Sequence, residues 1–447
     1  MTPLYDLSDT IAAIATPSGT SGIAVIKISG PSSLDILRRV FVSHTDPGTH
    51  PRHMILGTVR DVDTPIDKVL ACYMKAPASY TGDDVVEIQC HGGQLLAEII
   101  LGLTISVGAR LAEPGEFTRR AFLNGKIDLI QAESIMELIS AHNRAYAEKA
   151  ERLLAGDLSR DITAIRESLK SVTATCEATI EFEDSDGPGI SPVETITNEI
   201  TNIMNAIRPL IAAYDSTRKL NRGYTIALTG PVNSGKSTLF NTLLGYRRAI
   251  VHDHPGTTRD WITEHCTFPA ADVILTDTAG IRMTSNSIEK AGIDAAHDIV
   301  QSADIILHLN ESPDSESIGT TQTEQHHIYV ATKADLRSDT SYPSPWIPVS
   351  CKTGSGIVKL KTLINDTLTQ IIDTNPESPY IVTSRQHTLL NSAYDRSGHA
   401  LEILSDATLE LAAQDLHEAL LDIHTLIGTN TQPDILDTVF SRFCIGK

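Results

Sequence analysis

Hydrophobic positions alternate with a period of two through the first quarter of the chain. They recur at helical spacing over 131–214 and again over 384–427, with short apolar runs between those two stretches. Residues 10–29 predict an apolar strand, a small-residue turn (Thr16-Pro-Ser-Gly-Thr-Ser-Gly22) and a second alternating strand at 23–28. Further strands are predicted at 54–59, 68–74 and 85–90, and a helix at 93–107. Strands mixed with helix over roughly 115 residues predict a compact α+β domain.

From 131 to 214 the pattern is nearly continuous helix, broken at Glu181-Phe-Glu-Asp-Ser-Asp-Gly-Pro-Gly189. That spacing of carboxylates fits no EF-hand loop, so the break is read as a solvated acidic turn. Helical pattern before and after the intervening apolar runs predicts an α/β unit inserted into one helical domain, whose two halves must meet to bury their apolar stripes.

The inserted unit carries the chemistry. Gly230-Pro-Val-Asn-Ser-Gly-Lys-Ser237 follows a β-prone run at 224–228 and opens a helix-like stretch at 237–244, the strand-to-helix setting a phosphate-binding loop requires. Gly230 and Gly235 let backbone N–H groups close round phosphates, Lys236 supplies a mobile cation, and the Ser237 hydroxyl can ligate magnesium. Leu275-Thr-Asp-Thr-Ala-Gly280 ends an apolar strand; Asp277 can hold the magnesium shell and the Gly280 N–H can reach a γ-phosphate. Gly256-Thr-Thr-Arg-Asp260 lies between these motifs, and Thr258 can complete the magnesium shell only when a γ-phosphate is present, as a switch requires. In Thr332-Lys-Ala-Asp335, Asp335 can accept hydrogen bonds from N1 and N2 of guanine, a donor pair that adenine lacks. Val349-Ser-Cys-Lys-Thr-Gly354 resembles the loop that meets the base from its other side. In this order the motifs specify a GTPase. Ile281 follows the second motif and cannot orient an attacking water, so charge stabilisation must come from elsewhere. Asn233 could coordinate a monovalent cation, with carbonyls of 252–257 completing the shell, or it could be a loop-compatible turn residue.

Composition narrows the class. The 447 residues allow two or three domains, and 41% hydrophobic with 21% charged content is ordinary for a soluble globular protein. Lys plus Arg number 36 against 56 Asp plus Glu, a net charge of -20 that excludes bulk attraction to nucleic acid. The six cysteines (72, 90, 176, 266, 351 and 444) form no CxxC pair, which speaks against a disulfide framework or zinc knuckle and for a reducing compartment. Residues 1–10 lack signal-peptide character and no apolar run reaches membrane-spanning length, so a cytoplasmic location without a membrane is expected.

Two stretches of the first domain are unusually polar: Tyr80-Thr-Gly-Asp-Asp-Val-Val-Glu-Ile-Gln-Cys-His-Gly-Gly93, and Glu113-Pro-Gly-Glu-Phe-Thr-Arg-Arg120 continuing into Phe122-Leu-Asn-Gly-Lys-Ile-Asp128. Glu87 is either the exposed alternate position of a strand or a functional acid, and His91 either a loop residue or a catalyst.

These stretches, with Asp9-Thr-Ile11, Ser29-Gly-Pro31, the GTPase motifs and the terminal Cys444-Ile-Gly-Lys447, resemble the tRNA modification GTPase family MnmE (TrmE) over essentially the whole chain. The resemblance implies a multidomain α/β and α+β protein. Its parts would be a tetrahydrofolate-binding-like and dimerisation domain (1–119), a helical domain in two parts (120–221 and 374–447), and an inserted Ras-like P-loop GTPase domain (222–373). It further implies a homodimer and a flavin-dependent MnmG-type partner joined in a heterotetramer. GTP hydrolysis would depend on K+ and Mg2+ and be coupled to modification of the tRNA wobble uridine at C5, using a one-carbon tetrahydrofolate.

By the same resemblance, potassium would be held by Asn233, His252, His254 and Thr257, and magnesium by Ser237 and Thr258. GTP contacts would also include Gly230, Ser234, Gly235, Lys236, Thr238, Asp253, Pro255, Gly256, Asp277, Thr278, Ala279, Gly280, Thr332, Lys333, Ala334, Asp335, Ser350, Cys351 and Lys352. Glu289 would position the hydrolytic water, although an exposed acid favoured by a helix N-terminus fits its place equally. Lys27, Glu87, Lys126 and Lys447 would contact folate. Cys444 would be the nucleophile, with Arg442 and Lys447 as basic neighbours. Three departures stand out: Thr332 where asparagine is usual, which predicts a more loosely held base; Lys27 where arginine is common; and His252 with His254 in place of neutral residues. The competing readings are a GTP-dependent binding switch in ribosome assembly and a folate-dependent aminomethyltransferase with an accessory nucleotide domain.

Overall fold

The computed structural model describes residues 8–141, 144–181, 192–231, 233–245, 262–277, 300–301, 303–311, 326–337, 342–374, 380–404, 408–429 and 433–447. The chain divides into two compact units: Met1–Ser140 with Glu148–Ile211 and Thr383–Lys447, and Ala141–Ala147 with Ala212–Val382.

In the first unit, β1 (Ile11–Ile14), β2 (Ile23–Ser29), β3 (Phe41–Val42), β4 (Ile55–Asp61), β5 (Thr64–Met74), β6 (Val85–His91) and β7 (Arg110–Leu111) form one sheet in the order β3-β4-β5-β6-β2-β1-β7. All neighbours are antiparallel except β1 with β7. The period-two pattern sends Ile26, Ile28, Val59, Val69, Ala71, Val86 and Ile88 to one face, where helices Ser33–Val40 and Gln94–Ser106 bury them. The opposite face exposes Val42, Leu56 and Leu70, the last two being cross-strand partners. The predicted strands at 54–59 and 68–74 are two arms of one hairpin longer than the apolar pattern shows. The polar residues of 64–68 pair across the ladder, Thr64 and Lys68 exposed and Asp67 covered where its carboxylate accepts the His91 amide at 2.9 Å, and Val62 turns the chain with φ 53°.

The predicted continuous helix is four: Leu129–Ile139, Arg144–Leu154, Asp157–Glu181 and Pro192–Arg222. The first begins at a capping box: the Asp128 carboxylate accepts from the Gln131 amide at 2.8 Å, and the Gln131 side chain accepts from the Asp128 amide at 3.0 Å. Gly156, at φ 86°, separates the second from the third. The acidic turn at 182–189 lies outside the described residues. Helices Ser384–Ile403, Leu409–Ile427 and Pro433–Phe440 complete the unit. Arg385 ties the two halves together. Its guanidinium donates to both Glu133 carboxylate oxygens at 2.6 and 3.0 Å, and to the Thr425 and Leu426 carbonyls that end another helix. This places a cation at a helix C-terminus and a bidentate fork on a carboxylate in one residue. Among the described residues no helix is long and apolar enough to cross a membrane.

In the second unit, β8 (Tyr224–Thr229), β9 (Ile262–Thr267), β10 (Asp272–Asp277), β11 (Ile305–Asn310), β12 (His326–Ala331) and β13 (Ile347–Pro348) make a sheet in the order β13-β12-β11-β8-β10-β9, parallel except for β9. Helices Lys236–Leu244 and Ile357–Thr374 cover one face through Leu239, Phe240, Leu243, Leu360, Ile364 and Leu368. β8 sits between β10 and β11, which the chain reaches in opposite directions, and a crevice opens beyond its carboxyl end. Ligands of open α/β sheets bind at such a place.

Candidate functional site

The phosphate loop leaves β8 under tight constraint. A Cβ at Gly230, whose φ is 145°, would lie 2.2 Å from the Leu309 carbonyl of β11, so only glycine lets the turn hug the neighbouring strand. Asn233 takes left-handed backbone at φ 65°, and Gly235 at φ 86° opens the helix Lys236–Leu244. The Lys236 side chain folds back into the loop, its ammonium donating to the Gly230 and Pro231 carbonyls at 2.7 Å each. Burial pushes its pKa down, against the pull of Asp277. At the buried end of β10, Asp277 accepts the Ser237 hydroxyl at 2.8 Å. A hydroxyl and a carboxylate so paired are the hard oxygen donors a magnesium ion takes.

The other side of the crevice follows β12. Lys333 takes left-handed backbone at φ 53°, leading into the short turn Ala334–Leu336 that presents Asp335. The Ser350 hydroxyl donates to Asp335 Oδ1 at 2.6 Å and, with Lys352 nearby, holds that exposed carboxyl below its usual pKa. The Ala334 amide bonds the Val349 carbonyl, so the two base-side loops are fastened together. Thr332 is buried and donates its hydroxyl to the Ser234 carbonyl at 2.7 Å. One cavity of about 350 Å³ is lined from both sides, by Gly235 of the phosphate loop with Thr238 of the helix that follows it, and by Thr332, Asp335, Cys351 and Lys352. Its size suits a small ligand. His252, Asp253, His254, Pro255, Gly256, Thr257, Thr258, Thr278, Ala279, Gly280, Ile281 and Glu289 lie outside the described residues.

The first unit gathers the second set. Lys27 and Glu87 are direct cross-strand partners on β2 and β6. The Lys27 ammonium stands 5.4 Å from the centre of the Tyr80 ring and 5.8 Å from that of Phe117. Burial lowers its pKa; Glu87 opposes that, and the charge of Lys447 adds to it. Lys27, Glu87 and Lys447 therefore share one electrostatic environment. Lys447 arrives because its carbonyl accepts the Phe117 amide at 3.1 Å and because Gly446, at φ 93°, lies so close to Ile14 that a Cβ would come within 2.6 Å of its carbonyl. Lys126 instead donates to the Pro77 carbonyl at 3.1 Å, and Cys444 is exposed on the terminal turn.

Beside this set lies a charge network that joins Asp9 to the polar stretch 113–120, a pairing that the sequence pattern did not give. Arg120 is 1% exposed and donates to the Asp9 carboxylate at 2.5 Å, to its carbonyl at 3.0 Å and to Glu116 at 3.0 Å. Arg110 bonds the same two acids, to Asp9 at 2.7 Å and bidentately to Glu116 at 2.7 and 3.1 Å. Burial raises the Glu116 pKa, but the bonds from Arg110, the Glu113 amide and Arg120 outweigh it and hold the carboxyl low. The available signal was the Glu116–Arg120 pair at helical i,i+4 spacing among apolar neighbours.

The family description "GTP-binding protein TrmE N-terminus" matches residues 10–126, and "MnmE helical domain" matches residues 129–444. Proteins named tRNA modification GTPase MnmE align over nearly all of the chain. That of Carboxydothermus hydrogenoformans is 36% identical over 461 residues, covering 99% of this chain and 100% of the relative. Those of Geobacter sulfurreducens and Lawsonia intracellularis are 37% and 38% identical, with the same shares covered.

Proposed function

Because the chain belongs to the MnmE family of tRNA modification GTPases and is thus a GTP-hydrolysing enzyme, we propose that it works as a potassium-dependent GTP hydrolase coupled to one-carbon, folate-dependent modification of the wobble uridine at C5. The observation that carries the nucleotide half is the single cavity shared by the phosphate loop and the Asp335 turn. Phosphates would exchange with the Gly230 and Pro231 carbonyls for the Lys236 ammonium, a swap of neutral acceptors for charged ones that strengthens each bond. Ser237 would ligate magnesium, with Asp277 accepting from its shell and Thr258 as the nucleotide-sensing ligand. Bound magnesium supplies charge neutralisation at the phosphates. Asp335, pre-set by Ser350, reads guanine N1 and N2. Asp335→Asn is expected to weaken GTP binding by about tenfold to a hundredfold, the worth of a charge-assisted hydrogen bond, and to improve binding of XTP, whose ring carries a carbonyl where guanine has its amino group. Titration with both nucleotides checks this.

With isoleucine at 281, Asn233 and the 252–257 stretch would hold a potassium ion, which would supply positive charge at the phosphates, and Glu289 would orient the water. The test compares hydrolysis in potassium and sodium at matched ionic strength, with Asn233→Ala alongside. Potassium is expected to accelerate the wild type by roughly tenfold or more, about 1.4 kcal/mol of barrier, and the variant to lose only that acceleration. Indistinguishable cations would favour a binding switch in ribosome assembly.

In the first unit, Lys27, Glu87, Lys126 and Lys447 would hold the folate; the Lys27–Glu87–Lys447 cluster, walled by Tyr80 and Phe117, supports this. Bound folate supplies the one-carbon unit. Cys444, exposed beside that cluster in sequence, is the nucleophile toward uridine C6 or a one-carbon adduct. The apolar face carrying Val42, Leu56 and Leu70 supports a homodimer joined through this unit, and an MnmG-type flavin-dependent partner would complete a heterotetramer in the cytoplasm. The functional parts are proposed to be 1–119, 120–221 with 374–447, and 222–373.

A further inference from the structure

We propose that Thr332 is a positioning residue that fastens the phosphate loop to the base-side loops and leaves purine N7 unread, so that the enzyme takes guanine nucleotides altered at that atom as readily as GTP. The inference rests on the GTP-hydrolase reading above and narrows its substrate class.

A threonine hydroxyl has a single proton to donate. Here it points at the Ser234 carbonyl, 2.7 Å away, between two residues that are 4% and 2% exposed. An acceptor such as N7 needs a donor, and three donors on this strip of the cavity are bonded elsewhere. The Thr332 amide bonds the Asn310 carbonyl at 2.9 Å, the Ala334 amide bonds the Val349 carbonyl at 3.2 Å, and the Lys333 ammonium bonds Glu311 at 2.7 Å. What Thr332 presents instead is a structural link. Its side chain backs onto Gly235, where an added Cβ would already touch it at 3.7 Å, and its hydroxyl reaches across 98 residues of sequence to the loop that wraps the phosphates. A base seated between Thr332 and Asp335 would thus be selected along its N1–N2 edge by the carboxylate, and Thr332 would act on the phosphate end. An asparagine at this position would carry two amide protons, one for the Ser234 carbonyl and one left over for N7.

The test is a comparison of GTP with 7-deaza-GTP, in which a C–H replaces N7, by equilibrium titration of the full chain in magnesium and potassium. A neutral hydrogen bond is worth a factor of roughly 2 to 12 in affinity. The wild type is expected to bind the two nucleotides with less than about a twofold difference, and Thr332→Asn to favour GTP by about fivefold. Thr332→Val is expected to weaken both nucleotides by the same factor, about fivefold, with Thr332→Ser restoring them. A wild type that binds 7-deaza-GTP about fivefold or more weakly than GTP overturns the inference, and this comparison needs no variant to fold. So does a valine variant that loses affinity for GTP alone, or for neither nucleotide. Failure of the wild type to bind either nucleotide would bring down the GTP-hydrolase reading itself.

Discussion

Lys236→Ala is expected to lower the GTP hydrolysis rate by roughly 10²–10³-fold, the usual cost of deleting one preorganised charge at a developing negative centre, and tRNA modification should fall with it. The lysine is buried in the loop with its ammonium on the Gly230 and Pro231 carbonyls, so alanine removes a loop-ordering contact as well as the charge that meets the phosphates. Hydrolysis is read by phosphate release and modification by nucleoside analysis of tRNA from cells carrying the variant. Intact modification with hydrolysis lost would mean that the nucleotide unit is accessory to a folate-dependent transferase. Loss of both fits a nucleotide-driven rearrangement that gates the chemistry.

The largest stability effect is expected at Arg120. Arg120→Ala leaves Arg110 alone to serve two carboxylates, Asp9 and the buried Glu116, so one negative charge loses its counter-charge, and breaking one side of a buried ion pair costs about 3–5 kcal/mol. Removing Arg120 and Glu116 together for apolar residues should cost less than Arg120→Ala alone, because no charge is then left without its partner. Chemical denaturation of the three proteins compares them. A double variant that is less stable than the single one would show that the network does more than neutralise itself. The pH dependence follows the same carboxyls. The bonds from both arginines outweigh burial and lower the Asp9 and Glu116 pKa values in the folded protein. Their contribution is therefore fully present above the ordinary carboxylate pKa and disappears as pH falls through the depressed folded values. Arg120→Ala should flatten that acid limb of the stability curve.

Much of this was legible in the sequence, for identifiable physical reasons. Glycine motifs mark places where backbone must pass close to backbone, so Gly230 and Gly235 announced the phosphate loop, and its geometry follows from their positive φ values. Period-two alternation located β2 and β6 closely because one face of that sheet is buried. It failed for β3 and β7, each only two residues long, and for the polar start of β5, where the ladder rather than burial holds the chain extended. Helical periodicity ran through Gly156 because one glycine barely alters an apolar stripe, although it ends a helix. Residues that act on distant partners were least visible. Arg120 reaches Asp9 over 111 positions, and the looser base grip expected from Thr332 gave no hint of its bond to Ser234. Neither partner is implied by local pattern, since each meets its arginine or threonine only once the fold has brought them together.

The fork of Arg385 on Glu133 bears on how the protein is made. The two residues stand 252 positions apart, with the whole nucleotide unit encoded between them. At roughly 5–20 residues per second, about 13–50 s of synthesis separates the moment Glu133 leaves the ribosome from the moment its arginine exists. The first helices of that unit must wait half-built through this interval, apolar stripes uncovered, while the inserted sheet has all it needs to fold. The helical half can therefore complete its packing only after the inserted sheet has been synthesised, although it begins before it.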